Sequence, residues 1–321
     1  MNILITGGLG FIGSNLAKKL IKDNNKITII DNLIPEYGGN LANVMDIKDE
    51  VSININDLRD TNALKQLLKG IDVIYNLAAQ TGHTESMLNP INDLNINSKA
   101  QLSLLEVVRE VCPEAIVVYS STRQVYGKPD YLPVDEAHKI KAVDINGINK
   151  FAGEQFHILY NDVYKIRSTV LRLTNTYGPG MRIKDARQIF LGVWIKSLLT
   201  DNPILVYGDG SQIRDFNYVD DVVDALIKAS NNKDCFGKVM NLGSDQIINL
   251  ESLAKKLTSY IPGSNWKKIP FPKERKAIDI GDYYSNYKFA SNLLNWQPKV
   301  NLDKGLKATI DFYKKNLNYY L

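Results

Sequence analysis

The residues Thr6-Gly7-Gly8-Leu9-Gly10-Phe11-Ile12-Gly13 follow an apolar run, Ile3-Leu4-Ile5, and open a segment with helical spacing from Phe11 to Ile21. Glycines at these intervals permit a tight turn, let the backbone approach a pyrophosphate and pack the helix against the strand. The free amides at the helix start attract the anion. Eighteen positions after Gly13, the next apolar run, Ile27-Thr28-Ile29-Ile30, ends in Asp31. A carboxylate there accepts hydrogen bonds from an adenosine ribose and repels a 2′-phosphate, so the pattern predicts NAD rather than NADP. The chemistry that a bound nicotinamide supports is hydride transfer.

Such a loop needs a rigid frame. Further apolar runs at Val51-Ser52-Ile53, Ile71-Asp72-Val73-Ile74-Tyr75, Ala115-Ile116-Val117-Val118-Tyr119 and Ser168-Thr169-Val170-Leu171 read as strands of a buried parallel sheet. Between them, Thr61 to Leu68, Leu94 to Val111 and Lys150 to Tyr160 have helical spacing. This alternation predicts an α/β fold, a Rossmann-type doubly wound parallel sheet. After Leu173 the pattern changes to mixed helices, short strands and turns such as Tyr177-Gly178-Pro179-Gly180 and Tyr260-Ile261-Pro262-Gly263, as in a smaller C-terminal α/β domain. Residues 1–173 are expected to bind NAD and residues 174–321 to form the second domain, with part of 215–245 free to return to the first.

Composition excludes several classes. The chain has 321 residues, 44% hydrophobic and 23% charged, enough for an ordinary globular core. Its 39 basic and 35 acidic residues alternate without a long basic block, so a nucleic-acid partner is not expected. Cys112 and Cys235 lack metal-ligand spacing and read as buried, reduced thiols, with no metal site implied. No apolar stretch reaches the length of a membrane span or a signal-peptide core, which leaves the cytoplasm as the expected compartment.

Five motifs spread over nearly the whole chain carry a family resemblance. The glycine signature resembles that of extended short-chain dehydrogenases. Asn76-Leu77-Ala78-Ala79-Gln80 looks like that family's fourth-strand motif, and Tyr119-Ser120-Ser121-Thr122-Arg123-Gln124-Val125-Tyr126-Gly127 like its active-site strand. Arg172-Leu173-Thr174-Asn175-Thr176-Tyr177-Gly178-Pro179 and Arg214-Asp215-Phe216-Asn217-Tyr218-Val219-Asp220-Asp221 look like its substrate-side motifs. The resemblance is to NAD-dependent nucleotide-sugar epimerases, dehydratases and decarboxylases. It implies an N-terminal Rossmann domain, a C-terminal domain for a nucleotide-diphosphate sugar, and commonly a homodimer. It further implies that Asn32, Asp57, Leu58, Leu77, Ala78 and Ala79 lie along the cofactor with Gly7, Gly10, Phe11, Ile12, Gly13 and Asp31.

In these enzymes a Ser or Thr and a Tyr-x-x-x-Lys motif handle the sugar hydroxyl. Thr122 and Lys150 match two of the positions, and Lys150 is also expected on the nicotinamide ribose. Four residues before Lys150, the tyrosine position holds Asn146. An amide hydrogen-bonds but has no proton to exchange near neutral pH. Three explanations are open. Another group moves the proton, with His83, Glu85 and Tyr126 as candidates and His83 favoured by its ordinary pKa; the reaction needs no strong base there; or the protein binds ligands without turnover.

The family's dehydratases follow the threonine with an acidic pair, where this chain has Arg123-Gln124, so dehydration lacks its usual acid and base. The decarboxylases carry a glutamate and an arginine where Gln124 and Gly180 stand. Epimerisation by transient hydride transfer makes the fewest extra demands and is the expected reaction. Nucleotide-sugar dehydrogenation, decarboxylation, 4,6-dehydration and a catalytically silent NAD-binding regulator are the alternatives. On the substrate side, Arg214 and Arg275 look like the family's diphosphate ligands, with guanidinium geometry suited to phosphate oxygens. Thr122, Tyr126 and Asn175 are the other expected substrate contacts.

Overall fold

The structure is a computed structural model that describes residues 1–187 and 189–321. Strand β1 (Asn2–Thr6) runs through the glycine loop into α1 (Phe11–Leu20), followed by β2 (Lys26–Asp31), β3 (Val51–Ile55), α2 (Thr61–Leu67) and β4 (Val73–Asn76). Helices α3 (His83–Leu88) and α4 (Pro90–Leu94) lead through a π-helical turn, Asn95–Lys99, into α5 (Ala100–Val111). Next come β5 (Ile116–Thr122), α6 (Ile145–Tyr164) and β6 (Ser168–Leu173). The expected strands and helices of this half are all present. The segment expected as one helix from Leu94 contains the π turn, and α6 begins five residues before Lys150 because Asp144 caps it, accepting a 2.7 Å hydrogen bond from the Gly147 amide.

The remaining chain forms β7 (Asn175–Tyr177), α7 (Phe190–Leu199), β8 (Ile204–Tyr207), β9 (Ile213–Tyr218), α8 (Val219–Ser230), β10 (Val239–Asn241), β11 (Ile247–Asn249), α9 (Leu250–Ser259), β12 (Trp266–Ile269), α10 (Lys273–Ala277), α11 (Lys288–Leu294) and α12 (Leu302–Asn316). Seven parallel strands make the main sheet in the order β10-β6-β5-β4-β1-β2-β3. β7, β9 and β11 form a second sheet, and β8 and β12 a third. Strand order reverses between β1 and β4, so the crevice beyond their carboxyl ends is where a doubly wound sheet receives a ligand. Among the described residues no helix is long and apolar enough to cross a membrane.

Alternate side chains of β1 serve opposite faces, as the two-residue strand period requires. Ile3 and Ile5 join Leu16, Ala17 and the helices of the C-terminal half in one core. Leu4 joins Leu64, Leu104 and Val117 in the other. Cys112 and Cys235 are buried free thiols, and burial pushes each up to about 11.

A buried polar chain ties α6 to the sheet. Glu154, on α6, receives Arg172 of β6 through Nη2 at 2.6 Å and Nε at 2.9 Å, and also accepts the Ser121 hydroxyl. Arg172 Nη1 donates to the Tyr126 hydroxyl at 2.7 Å, and that hydroxyl donates to Asn241 of β10 at 2.8 Å. A pair this deep holds only while both charges are present. Arg172→Leu is expected to strand the Glu154 carboxylate and lower stability by about 3–5 kcal/mol in urea unfolding. Adding Glu154→Leu to it should recover much of the loss.

Candidate active site

The loop after β1 is shaped by close backbone contact. Gly7 has φ +66°, and a Cβ on it would lie 2.9 Å from the backbone of Ala78; one on Gly13 would lie 2.5 Å from the Gly7 carbonyl. Gly10 caps α1 without a side-chain acceptor. The amides of its first turn are therefore left for an anion at the positive end of the helix dipole. The Thr6 hydroxyl accepts from the amides of Leu77 and Ala78 at 3.0 and 3.1 Å and donates to Asn76, which locks the ends of β1 and β4 together.

Asp31 accepts from the Leu9 and Leu33 amides at 3.1 and 2.9 Å. Burial raises its pKa, and the two amides oppose the shift. Asp57 is gripped by Arg59 at 2.7 and 2.6 Å and by Asn32 at 2.9 Å, and the Arg59 hydrogen bonds hold its carboxyl down at about 2. Every residue expected along the cofactor, Lys150 included, lines one continuous cleft of about 730 Å³. A cradle that any Cβ would fill, with open amides at one end and a ribose-facing carboxylate at the other, fits a dinucleotide.

Thr122, His83, Asn146 and Lys150 all line the same cleft. Thr122 ends β5, and its Oγ1 accepts the Gln124 amide at 3.2 Å. Lys150 is buried, donates to the Ser120 carbonyl at 2.6 Å and lies 4.3 Å over the Tyr119 ring. Burial pushes it down to about 8, against the opposing pull of Glu154 and Asp93. Asn146 is part of the wall. Its Nδ2 donates to the Gln80 carbonyl at 2.8 Å and approaches Asp93 at 3.2 Å. Asp93, fully buried, also accepts from Asn149 at 2.8 Å and Asn97 at 3.0 Å.

His83 opens α3, with Nδ1 3.0 Å from Asp144 Oδ2, close but off the line of a good hydrogen bond. The Asp144 side chain is fully buried and also takes Gln124 Nε2 at 2.8 Å. Burial works to raise its pKa, but His83, Gly147 and Gln124 together bring it below the ordinary aspartate value. Glu85 lines the cleft as well, but it accepts from Asn89 and sits 4.0 Å from Arg187.

At the far end, Asn175, Arg214 and Arg275 line the cleft. Asn175 spends its amide on the Asp215 carbonyl, 2.9 Å, and on Arg123 Nη2, also 2.9 Å, so it holds a cation as much as it faces a ligand. Arg214 donates to the carbonyls of Ile213 and Gly281 and lies 3.6 Å from Asp279. Arg275 lies 5.5 Å over the Tyr207 ring, which is tilted against Phe271. Tyr126 is a correction. It was expected as a substrate contact and as a candidate proton relay, but it does not line the cleft. The short helical turn after Thr122 swings it inward, where it is fully buried and its hydroxyl is spent on Arg172 and Asn241.

Residues 3–243 match the sequence model of the NAD dependent epimerase/dehydratase family. The chain belongs to that family. A putative UDP-glucose 4-epimerase of Methanocaldococcus jannaschii is 34% identical over 98% of this chain and 99% of its own. The crystal structure of a UDP-glucose 4-epimerase of Thermotoga maritima with UDP-glucose superposes with TM-score 0.88 at 29% identity, over 99% of this chain and all of that one. A UDP-glucuronic acid 4-epimerase of Bacillus cereus, solved with UDP-glucuronic acid and NAD, gives 0.85 at 28%, over 98% and all. This epimerase/dehydratase is accordingly an NAD-dependent enzyme.

Several site groups of this epimerase/dehydratase went unnamed in the sequence reading. Asp144 was available as an aspartate just before a helix, the ordinary capping signal, but its approach to His83 joins residues 61 apart. The Asp93, Asn97 and Asn149 cluster and the Tyr207 and Phe271 rings carry no local signal. The Lys150 shift has a measurable sign. Between pH 8 and 10.5 the unfolded chain keeps a proton that the folded apoenzyme has lost, so this lysine makes stability rise with pH across that window. Lys150→Met is expected to remove a contribution of about 3 kcal/mol from that rise, read by urea unfolding at pH 7.5 and pH 10.5.

Proposed function

We propose that this enzyme is a nucleotide-sugar epimerase that inverts one sugar carbon by removing a hydride, letting the keto sugar present its other face, and returning the hydride. The observation that carries the reading is the pair after Thr122. Arg123 and Gln124 occupy the place of an acid and a base for eliminating water, and Gln124 is committed to Asp144. Inversion by oxidation and reduction needs one group that takes a proton and gives it back, and no net redox.

NAD, when bound, supplies the hydride acceptor and donor. The chain's own residues do the rest. Thr122 accepts a backbone amide, which leaves its hydroxyl hydrogen for the sugar oxygen. His83 takes the hydroxyl proton in place of the absent tyrosine and returns it after reduction; Asp144, fixed by Gly147 and Gln124, steadies the imidazolium that forms. Lys150 binds the nicotinamide ribose and favours negative charge nearby. Asn146 holds the Gln80 turn in place and moves no proton.

A uridine diphosphate sugar suits the remainder of the cleft. Arg214 and Arg275 face the diphosphate, and Tyr207 and Phe271 offer rings for the base. The relatives named above are described as acting on, or are solved with, such ligands. The enzyme works as a homodimer on this reading, since Leu102 of α5 and Leu159 and Val163 of α6 expose apolar surface on adjacent helices. Leu159→Glu with Val163→Glu should then sediment as a monomer at micromolar concentration where the parent sediments as a dimer.

The decisive measurement follows UDP-sugars with NAD in deuterated water by NMR, with NADH read by absorbance. A new stereoisomer without accumulated NADH is expected; a keto product with matching NADH would mean a dehydrogenase, and binding to every sugar tried without turnover would favour the regulator. His83→Ala should lower kcat by 10²-fold or more while NAD affinity stays within twofold. Full turnover in that variant would remove histidine from the mechanism.

A further inference from the structure

The cation beside the catalytic threonine has no anion of its own. Arg123 lines the cleft immediately after Thr122, with its guanidinium 5.2 Å over the Tyr283 ring and Nη2 donating to the neutral amide oxygen of Asn175 at 2.9 Å. Nη1 is shielded from water and has no acceptor among the described residues. Among the described residues no carboxylate oxygen lies within 4.0 Å of the guanidinium. The two nearest carboxylates are engaged elsewhere. Asp215 accepts from Thr174 and from the Ser285 amide, and Asp279 from Gln212 at 2.6 Å and the Gly281 amide at 3.2 Å.

Leaving a charge in this state is costly unless a partner arrives with the ligand. Two guanidiniums share the wall, and their repulsion is felt: after burial itself, Arg123 is the main influence that pushes Arg214 down to about 10. One diphosphate suits Arg214, which stands on β9, far along the sequence from the reacting threonine. Arg123 lines the cleft as the next residue after Thr122, which the proposed mechanism sets against the sugar, and it is held there by Asn175 and Tyr283; its place is then beside the sugar rather than the diphosphate. Hydrogen bonding from a guanidinium to a carboxylate in a dry site is the strong, bidentate kind.

We propose that Arg123 sets substrate specificity by receiving an anionic substituent on the sugar ring, the carboxylate of a uronic acid. The inference rests on the nucleotide-sugar reading above and names the class of sugar. A neutral hexose leaves Arg123, half-buried with its Nη1 shielded, without an opposite charge; a uronate supplies one. The site therefore selects the acid by rejecting the alcohol as well as by binding the carboxylate.

Binding separates this proposal from the reaction itself. The NAD-loaded enzyme is titrated by calorimetry with UDP, UDP-glucose and UDP-glucuronate, and the same titrations are run on Arg123→Gln and Arg123→Lys. The parent should bind UDP-glucuronate at least tenfold more tightly than UDP-glucose. Arg123→Gln should erase the difference while UDP and UDP-glucose stay within about twofold, and Arg123→Lys should keep part of the preference. Equal affinity of the parent for the two sugars overturns the proposal whether or not the variants fold. So does a loss for UDP itself as large as that for UDP-glucuronate, which would assign Arg123 to the diphosphate. If none of the three ligands binds the parent, the nucleotide-sugar reading fails and takes this inference with it.

Discussion

One carboxylate holds three segments of the site in register. Asp144 caps α6 through the Gly147 amide, anchors the turn after β5 through Gln124, and meets His83 at the start of α3. Helix α6 carries Asn146 and Lys150, the turn follows Thr122 and includes Arg123, and α3 brings in the imidazole. A buried carboxylate alone would be driven toward its neutral form; here two hydrogen bonds, a nearby imidazole and the positive end of a twenty-residue helix keep it charged. Remove that charge and the helix start, the active-site turn and the histidine lose their common reference point.

Asn146, where the resemblance expects the family's tyrosine, belongs to the same wall. Its side-chain amide reaches the Gln80 carbonyl, the Gln80 side chain and Asp93. A tyrosine has one hydroxyl hydrogen and could not make those contacts together. Gln80 in turn shapes the turn before His83, with its side chain bonded to both the amide and the carbonyl of Gly82. The residue that cannot move a proton thus braces the loop that carries one that can. On the proposed mechanism, the substitution and the histidine are two sides of one arrangement.

What the sequence made legible was what local pattern encodes. The parallel strands are short apolar runs whose two faces are both covered, and the glycine loop and Asp31 follow from constraints within some thirty residues. The short strands β7 and β11 were not legible, because Asn175–Tyr177 and Ile247–Asn249 are three residues each and owe their pairing to β9, more than thirty residues away. β10 lies within the 215–245 stretch left free to return to the first domain, and it extends the main sheet beside β6 after an excursion of some sixty residues. Tyr126 shows how adjacency misleads. Three residues of tight turn separate a side chain that faces the ligand from one that faces Arg172, and nothing in Arg123-Gln124-Val125-Tyr126 says which way each turns.

The two ends of the cleft treat negative charge by different physics. At the cofactor end, diphosphate is met by backbone amides of a tight loop and the dipole of α1. These donors are fixed by the fold and need no counterion when the site is empty. At the substrate end the donors include guanidiniums, Arg214 buried with Asp279 at 3.6 Å and Arg123 half-buried, its Nη1 shielded from water, with no carboxylate within 4.0 Å among the described residues. Their desolvation is already spent when the protein folds, so an anion that reaches them recovers a free energy that water does not supply. A neutral ligand recovers none of it. The cofactor end thus meets its diphosphate with neutral donors, while on the proposed reading the substrate end turns the charge of the arriving sugar into a difference in affinity.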